Sequence, residues 1–303
     1  MHWAFTVKYI TNLVDLDREL DYVDTQFLIS DDCGRVALNN FCYKINTDSV
    51  PKNPFSPEYH DFQMRLYSVL SGRTGYDVAN EKTIFSQEEI QRCQFPYFTG
   101  SASTVGDQLL AIGYIIKNTH LPPNSTVIEF GPGWGNLTLA LARMNHLVTC
   151  VEVEKKFIDL ITYQSRDLKN QIRFIHQDML TFSENPDKKY DAVFFHESFH
   201  HCRDPITLIK KLPDIVTDDG IICFASEPIM SYPLKSLPNP VLPYPWGVRL
   251  DGISVWSIRR FGWMELGFER TFFMKMLSDA GFSSEYISSD VSPLTSLIIA
   301  RKK

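Results

Sequence analysis

Val127-Ile-Glu-Phe-Gly-Pro-Gly-Trp-Gly-Asn-Leu-Thr-Leu-Ala-Leu-Ala142 decides the fold of this chain. Val127 to Phe130 is an apolar strand carrying one acid, Glu129. Gly131, Gly133 and Gly135 stand at alternate positions, and an amphipathic helix follows. Glycines remove side chains where a strand turns sharply into a helix, so a ligand can touch the backbone at the carboxyl end of a sheet. The stretch is a nucleotide-type cofactor site.

Which cofactor it takes follows from three departures. The dinucleotide pattern G-x-G-x-x-G requires a glycine at position 136, where Asn136 stands. Pro132 removes an N–H donor that a pyrophosphate would use at a helix start. Trp134 crowds a loop that phosphates must approach, so a cofactor without phosphates fits better. The spacing Glu129-x-Gly131-x-Gly133-x-Gly135 resembles the first motif of class I S-adenosylmethionine (SAM)-dependent methyltransferases. That resemblance implies SAM as cofactor, with the glycine loop beneath its methionine part, and it covers roughly residues 96–303.

The chain around the motif supports an α/β reading. Strands are expected at 126–130, 147–153, 172–176, 191–195 and 221–226, with helices at 103–117, 136–144, 155–165 and 205–212 between or before them. A further helix at 271–280, stopped by Gly281, leads to strands near 286–287 and at 296–301. Strand alternating with helix predicts a doubly wound, mostly parallel Rossmann-like sheet. The last two strands, separated by a stretch too short for a crossover helix, should pair antiparallel. Residues 1–95 lack this alternation and read as an accessory or cap region, with a proline-bearing linker (46–57) and a helix at 57–70. Residues 96–303 form the methyltransferase domain in this reading, with a lid insertion at 228–268.

Three acids stand at successive strand ends. Glu152 and Glu154 close the second strand on one face, and either suits the cis-diol of a ribose; Glu152 matches the family's position. Asp178, followed by Met179, closes the third. In the resembling family an acid there accepts from the adenine amino group, and Met179 would add a soft apolar wall; Asp178 also reads as a turn or cap residue. The resemblance places Glu129 near the cofactor's ammonium.

The fourth strand runs into His196-Glu-Ser-Phe-His-His-Cys-Arg-Asp-Pro205, which places three of the eight histidines within six residues. The phrase is similar to S-E-x-x-H-H-x-x-D-P in many small-molecule methyltransferases, where this strand end faces the sulfonium and the acceptor. A hydroxyl acceptor must lose its proton, and a histidine titrates in the right range. His200 or His196 is the candidate base, with Glu197 orienting the base or the cofactor. His196, Glu197 and Glu227 also form a set that suits a divalent ion, but the adopted reading uses no metal. Asp204-Pro205 reads as a helix N-cap and first residue.

The insertion carries six prolines between 228 and 245 and three of the five tryptophans. A loop this long in a compact domain is usually a lid or binding element. Trp246, Arg249, Asp251 and Trp256 combine aromatic faces with a cation and an acid, which suits a sugar or another polar ring. Arg259 and Arg260 suit a phosphate or carboxylate. The segment from Trp246 to Phe268 has a fainter likeness to methyltransferases of surface-polysaccharide and sugar biosynthesis. Sugar C-methyltransferases of this fold often begin with a cysteine-rich zinc module, which this chain lacks.

Composition fits a soluble globular protein, with 44% hydrophobic and 22% charged residues. The net charge of −6 argues against a nucleic-acid partner, because phosphate binding is driven by Lys and Arg. The six cysteines form no C-x-x-C pair, and neither a signal peptide nor a membrane span is legible. The expected protein is cytoplasmic, compatible with a homodimer, and acts on a small-molecule or carbohydrate acceptor. Methylation of a phosphate, amine, lipid-linked precursor or rRNA, a nicotinamide reductase, and a non-catalytic SAM-binding module are the rival readings.

Overall fold

The computed structural model describes residues 7–83, 85–86, 88, 102–168, 171–231, 242–289 and 295–303. They form two compact units, Met1–Glu81 with Pro228–Phe272, and Lys82–Glu227 with Phe273–Lys303. The expected division at 95/96 is therefore corrected. The insertion expected as a lid on the 96–303 domain belongs instead with the first 81 residues, because it shares a core and ion pairs with them.

The second unit is built on seven strands: β1 (Thr126–Phe130), β2 (Leu147–Glu152), β3 (Ile172–His176), β4 (Tyr190–His196), β5 (Val216–Ala225), β6 (Phe282–Ile287) and β7 (Leu297–Lys302). Its helices are α1 (Ala102–Thr119), α2 (Asn136–Arg143), α3 (Lys155–Gln164), α4 (Met179–Glu184), α5 (Pro205–Ile215) and α6 (Arg270–Asp279). The strand order is β6-β7-β5-β4-β1-β2-β3. β1 to β5 pair parallel, while β7 runs antiparallel to both β5 and β6, as the short connection requires. The order reverses between β1 and β4, so a crevice opens at their carboxyl ends.

β5 begins five residues before its expected start. Asp218-Asp-Gly220 reads as a turn, yet the backbone stays extended through it, with a register shift opposite Tyr190 and Ala192. α4 was not foreseen.

Two packed faces hold the sheet. On one, Ile112 and Ile115 of α1 and Leu137 and Leu141 of α2 cover Val127, Val148, Cys150, Phe194 and Cys223. On the other, Phe130, Phe195 and Phe224 stand side by side at one register of β1, β4 and β5. Their rings stack at 5.0 and 5.1 Å with interplanar angles of 9° and 5°. Phe199 and Phe273 close the row edge-on at 5.2 and 5.0 Å. The row occupies the last registers before the loops, so it fixes the strand ends from which the site is built.

In the first unit, the helix Leu13–Ile29 presents Asp17, Asp21 and Asp24 at helical spacing. Arg259 forks onto Asp17 with two 2.9 Å bonds, Arg260 meets Asp21 and Asp24, and Trp256 Nε1 donates to Asp24 at 2.8 Å. Trp246 is fully buried; its Nε1 donates to the Pro54 carbonyl, and its own carbonyl accepts from Tyr59. Three short strands, Ile229–Met230, Leu266–Glu269 and Trp246–Val248, complete this unit.

Phe195→Ala removes the central ring of the row and should cost about 3–5 kcal/mol, read as a lower urea midpoint, with Phe195→Leu costing less. An unchanged midpoint for the alanine variant would show that the row does not support the sheet.

Candidate active site

The turn between β1 and α2 is made of glycines in left-handed conformations, with φ of 62° at Gly131, 51° at Gly133 and 76° at Gly135. A Cβ at Gly131 would lie 2.8 Å from the Ser198 Cβ, and one at Gly135 would lie 2.5 Å from Ile161. Among the described residues, nothing lies within 4 Å of the corresponding point at Gly133. Two glycines thus permit close packing, and the third faces open space where a ligand backbone contact fits. Trp134 packs against Phe157 and Phe85 at 5.1 and 4.9 Å, so its ring is held by the protein's own aromatics.

Carboxylates surround this turn. Glu129 is buried under the loop and accepts from the Thr138 hydroxyl. Burial raises its pKa from 4.5 to about 7, the Thr138 bond opposes the rise, and the neighbouring Glu152 charge adds to it. Glu152, at the end of β2, accepts from Gly133 N at 3.2 Å and from Glu154 N at 2.8 Å. Its pKa is also raised by burial, against the pull of those amides. Each oxygen keeps lone-pair capacity for a further donor. Asp178 caps α4: Oδ1 accepts from Leu180 N and Thr181 N at 3.0 Å, and Oδ2 from the Thr181 hydroxyl. The turn reading of Asp178 is therefore realised, and Met179 opens the helix it caps. Glu154 caps α3 through Lys156 N.

The strand-four phrase folds back over the glycine turn. Ser198 Oγ donates to the Phe130 carbonyl at 2.7 Å, and its Cβ is the atom that forbids a side chain at Gly131. Glu197 and Ser226, at the ends of β4 and β5, are non-glycine residues at φ 53° and 56°. Such conformations cost about 1–2 kcal/mol each and gather at functional sites. Here they are held by Glu197 N donating to Ala225 O and Ser226 N to Ser296 O, both at 3.0 Å. Glu197 accepts from Gln108 of α1 at 3.0 Å. His196 is half-buried, and its Nε2 is buried without a hydrogen-bond partner.

His200 is buried, and its Nδ1 lies 2.8 Å from Glu227. The acid in contact with this histidine is thus Glu227, just beyond the end of β5, which the sequence reading weighed only as a metal ligand, and not Glu197, which was expected to orient the base or the cofactor. With Glu227 committed to His200 and backbone amides and Glu197 to Gln108, these acids do not gather with His196 as a metal site. Gln108, Thr138 and Ser198 were also missed; none carries a motif of its own.

The residues expected to bind a sugar are corrected. Trp246 and Trp256 serve the first unit's core and hydrogen bonds, as described above. Arg249 bonds Asp251 at 3.0 Å, and Asp251 caps the helix Gly252–Arg260 through Ser254. The hydrogen bonds these side chains make go to the protein's own groups.

Residues 128–224 match the family model of a methyltransferase domain. An uncharacterized methyltransferase of Mycobacterium tuberculosis is 33% identical over 96 residues, 32% of this chain and 47% of that protein. Ribosomal RNA small subunit methyltransferase A of Alkaliphilus metalliredigens is 28% identical over 125 residues, 41% of this chain and 38% of that protein. The chain thus spans less than half the length of these relatives. The structure of a Burkholderia thailandensis 1,6-didemethyltoxoflavin-N1-methyltransferase, with bound 1,6-didemethyltoxoflavin and S-adenosylhomocysteine, is 17% identical, with coverage of 74% of this chain and 93% of that chain and a TM-score of 0.46.

Glu129 yields a stability prediction. Between pH 4.5 and 7 the folded state retains a proton that the unfolded state has lost, so stability falls as pH rises through that window. Glu129→Gln, measured without ligand, should melt several degrees higher than the parent at pH 8 and match it near pH 4.5. A lower melting temperature at pH 8 would contradict a buried, costly charge.

Proposed function

We propose that the chain, whose residues 128–224 match the family model of a methyltransferase domain, transfers a methyl group from SAM to a hydroxyl of a polar small molecule. The observation that carries the cofactor half is Glu152, which joins the end of β2 to the open glycine, Gly133. A ribose diol donating to that carboxylate would lie beside the loop. Glu129, beneath the loop, is the counter-charge for the ammonium, Asp178 and Met179 bound the adenine end, and SAM supplies the methyl as a sulfonium when bound.

The acceptor half rests on His200. An imidazole held by a buried acid suits proton removal from a hydroxyl, and methyl transfer otherwise needs alignment and exclusion of water. His196, at the end of β4, is the second candidate base, and Glu197 orients the loop through Gln108. Sugar and polysaccharide precursors are the first hydroxylated acceptors to try, although the insertion's aromatics no longer argue for them. The Alkaliphilus metalliredigens relative named as an rRNA methyltransferase matches over 41% of this chain. An rRNA acceptor therefore stays an outcome of the test. No helix among the described residues is long and apolar enough to cross a membrane.

Titration calorimetry should show SAM and S-adenosylhomocysteine binding while NADH does not. Glu152→Ala should weaken S-adenosylhomocysteine binding by about tenfold or more, as for a lost charge-assisted bond of 1.5–3 kcal/mol. His200→Ala should leave that affinity nearly intact and slow the release of S-adenosylhomocysteine in the presence of sugar acceptors. Equal loss of binding in both variants contradicts the division of roles, and NADH binding alone contradicts the family's chemistry in this chain. Turnover on rRNA but on no small hydroxylated acceptor would replace the acceptor class.

A further inference from the structure

Glu227 stands at the end of β5 with its side chain fully buried. Oε1 accepts from the backbone N–H groups of Ser198 and Phe199, both at 2.8 Å. Oε2 accepts from the backbone N–H of His200 at 3.1 Å and lies 2.8 Å from that residue's Nδ1. A carboxylate this deep stays ionised only where donors surround it. Burial pushes its pKa upward, but the His200 imidazole and the backbone donors outweigh that, and the net shift is downward. An ionised carboxylate accepts and never donates. His200 Nδ1 must therefore carry a hydrogen, and in the neutral ring the lone pair sits on Nε2.

We propose that Glu227 is a positioning residue that holds His200 as the Nδ1–H tautomer, so that Nε2 is the atom that takes the acceptor's proton; the inference rests on the hydroxyl-transfer reading above. As the acceptor's oxygen bonds to the methyl carbon, the carbon–sulfur bond breaks and its electron pair stays on sulfur. The hydroxyl proton passes to Nε2 and from there to water. Glu227 offsets the positive charge that the ring carries between those two events. The same carboxylate ties Ser198, Phe199 and His200 to β5, and Ser198 to the glycine turn, so one side chain fixes both the base and the loop that carries it.

A purely structural acid would hold that loop through its amide bonds and leave the ring's tautomer to chance. Nitrogen-15 NMR of histidine-labelled full-length protein with S-adenosylhomocysteine, at a pH where the ring is neutral, separates the two roles, with His200→Gln used to assign the signals. The parent should show a protonated Nδ1 and a bare Nε2 at His200. Glu227→Ala should shift the ring toward Nε2–H, and Glu227→Asp should restore Nδ1–H. Nε2–H in the parent or an unaltered tautomer in Glu227→Ala would each overturn the assignment. Should Glu227→Ala not fold, the parent's tautomer and Glu227→Asp decide. A parent that binds no S-adenosylhomocysteine overturns the methyltransferase reading instead, and the tautomer read on the free protein still decides the role of Glu227.

Discussion

Between β1 and α2 the backbone adopts positive φ three times within five residues, and the site depends on that turn. Only glycine tolerates such conformations without strain, and at Gly131 and Gly135 there is no room for a side chain. The turn lets Ser198 lie against Gly131 and Ile161 against Gly135, and it aims the Gly133 amide at Glu152. The glycine loop, the end of β2 and the loop after β4 are thereby locked together through contacts of a few ångströms. The aromatic row of Phe130, Phe195 and Phe224 supplies the rigid base beneath them.

Charge sets the character of the site. Glu129 and Glu152 are buried and both carry raised pKa values, with the Glu152 charge bearing on Glu129 and the Glu154 charge on Glu152. Glu227 is equally buried yet lies below its ordinary value. The difference is the partners: one hydroxyl serves Glu129, whereas the charge and hydrogen bond of the His200 ring, with backbone N–H groups beside them, act on Glu227. Buried acids with few compensating donors are suited to a ligand that brings hydroxyl donors and positive charge, which is the character of an adenosyl sulfonium.

Most of the second unit was legible because its elements follow local rules. Apolar strands alternate with amphipathic helices, and acids stand where strands run out, so Glu129, Glu152 and Asp178 could be placed from spacing. The start of β5 was misjudged because Asp218-Asp-Gly220 has turn chemistry, and neighbouring strand pairing overrode it. The first unit was not legible for a different reason. Its strands are two to four residues long, and its acids, Asp17, Asp21 and Asp24, meet Arg259, Arg260 and Trp256 more than two hundred residues away. Trp246, Arg249, Asp251 and Trp256 looked like a binding surface because aromatic, basic and acidic residues build an ion-paired core as readily as a sugar platform. Glu227 was underweighted because its partners, residues 198–200, precede it by almost thirty positions.

The most direct measurement is a crystal structure with S-adenosylhomocysteine. The account predicts the ligand at the carboxyl ends of β1 and β2, with its ribose hydroxyls donating to Glu152, its methionine part over Gly133, and its adenine toward Met179. A ligand bound elsewhere, or a crevice filled by the protein's own side chains with no space for an adenine, would contradict it.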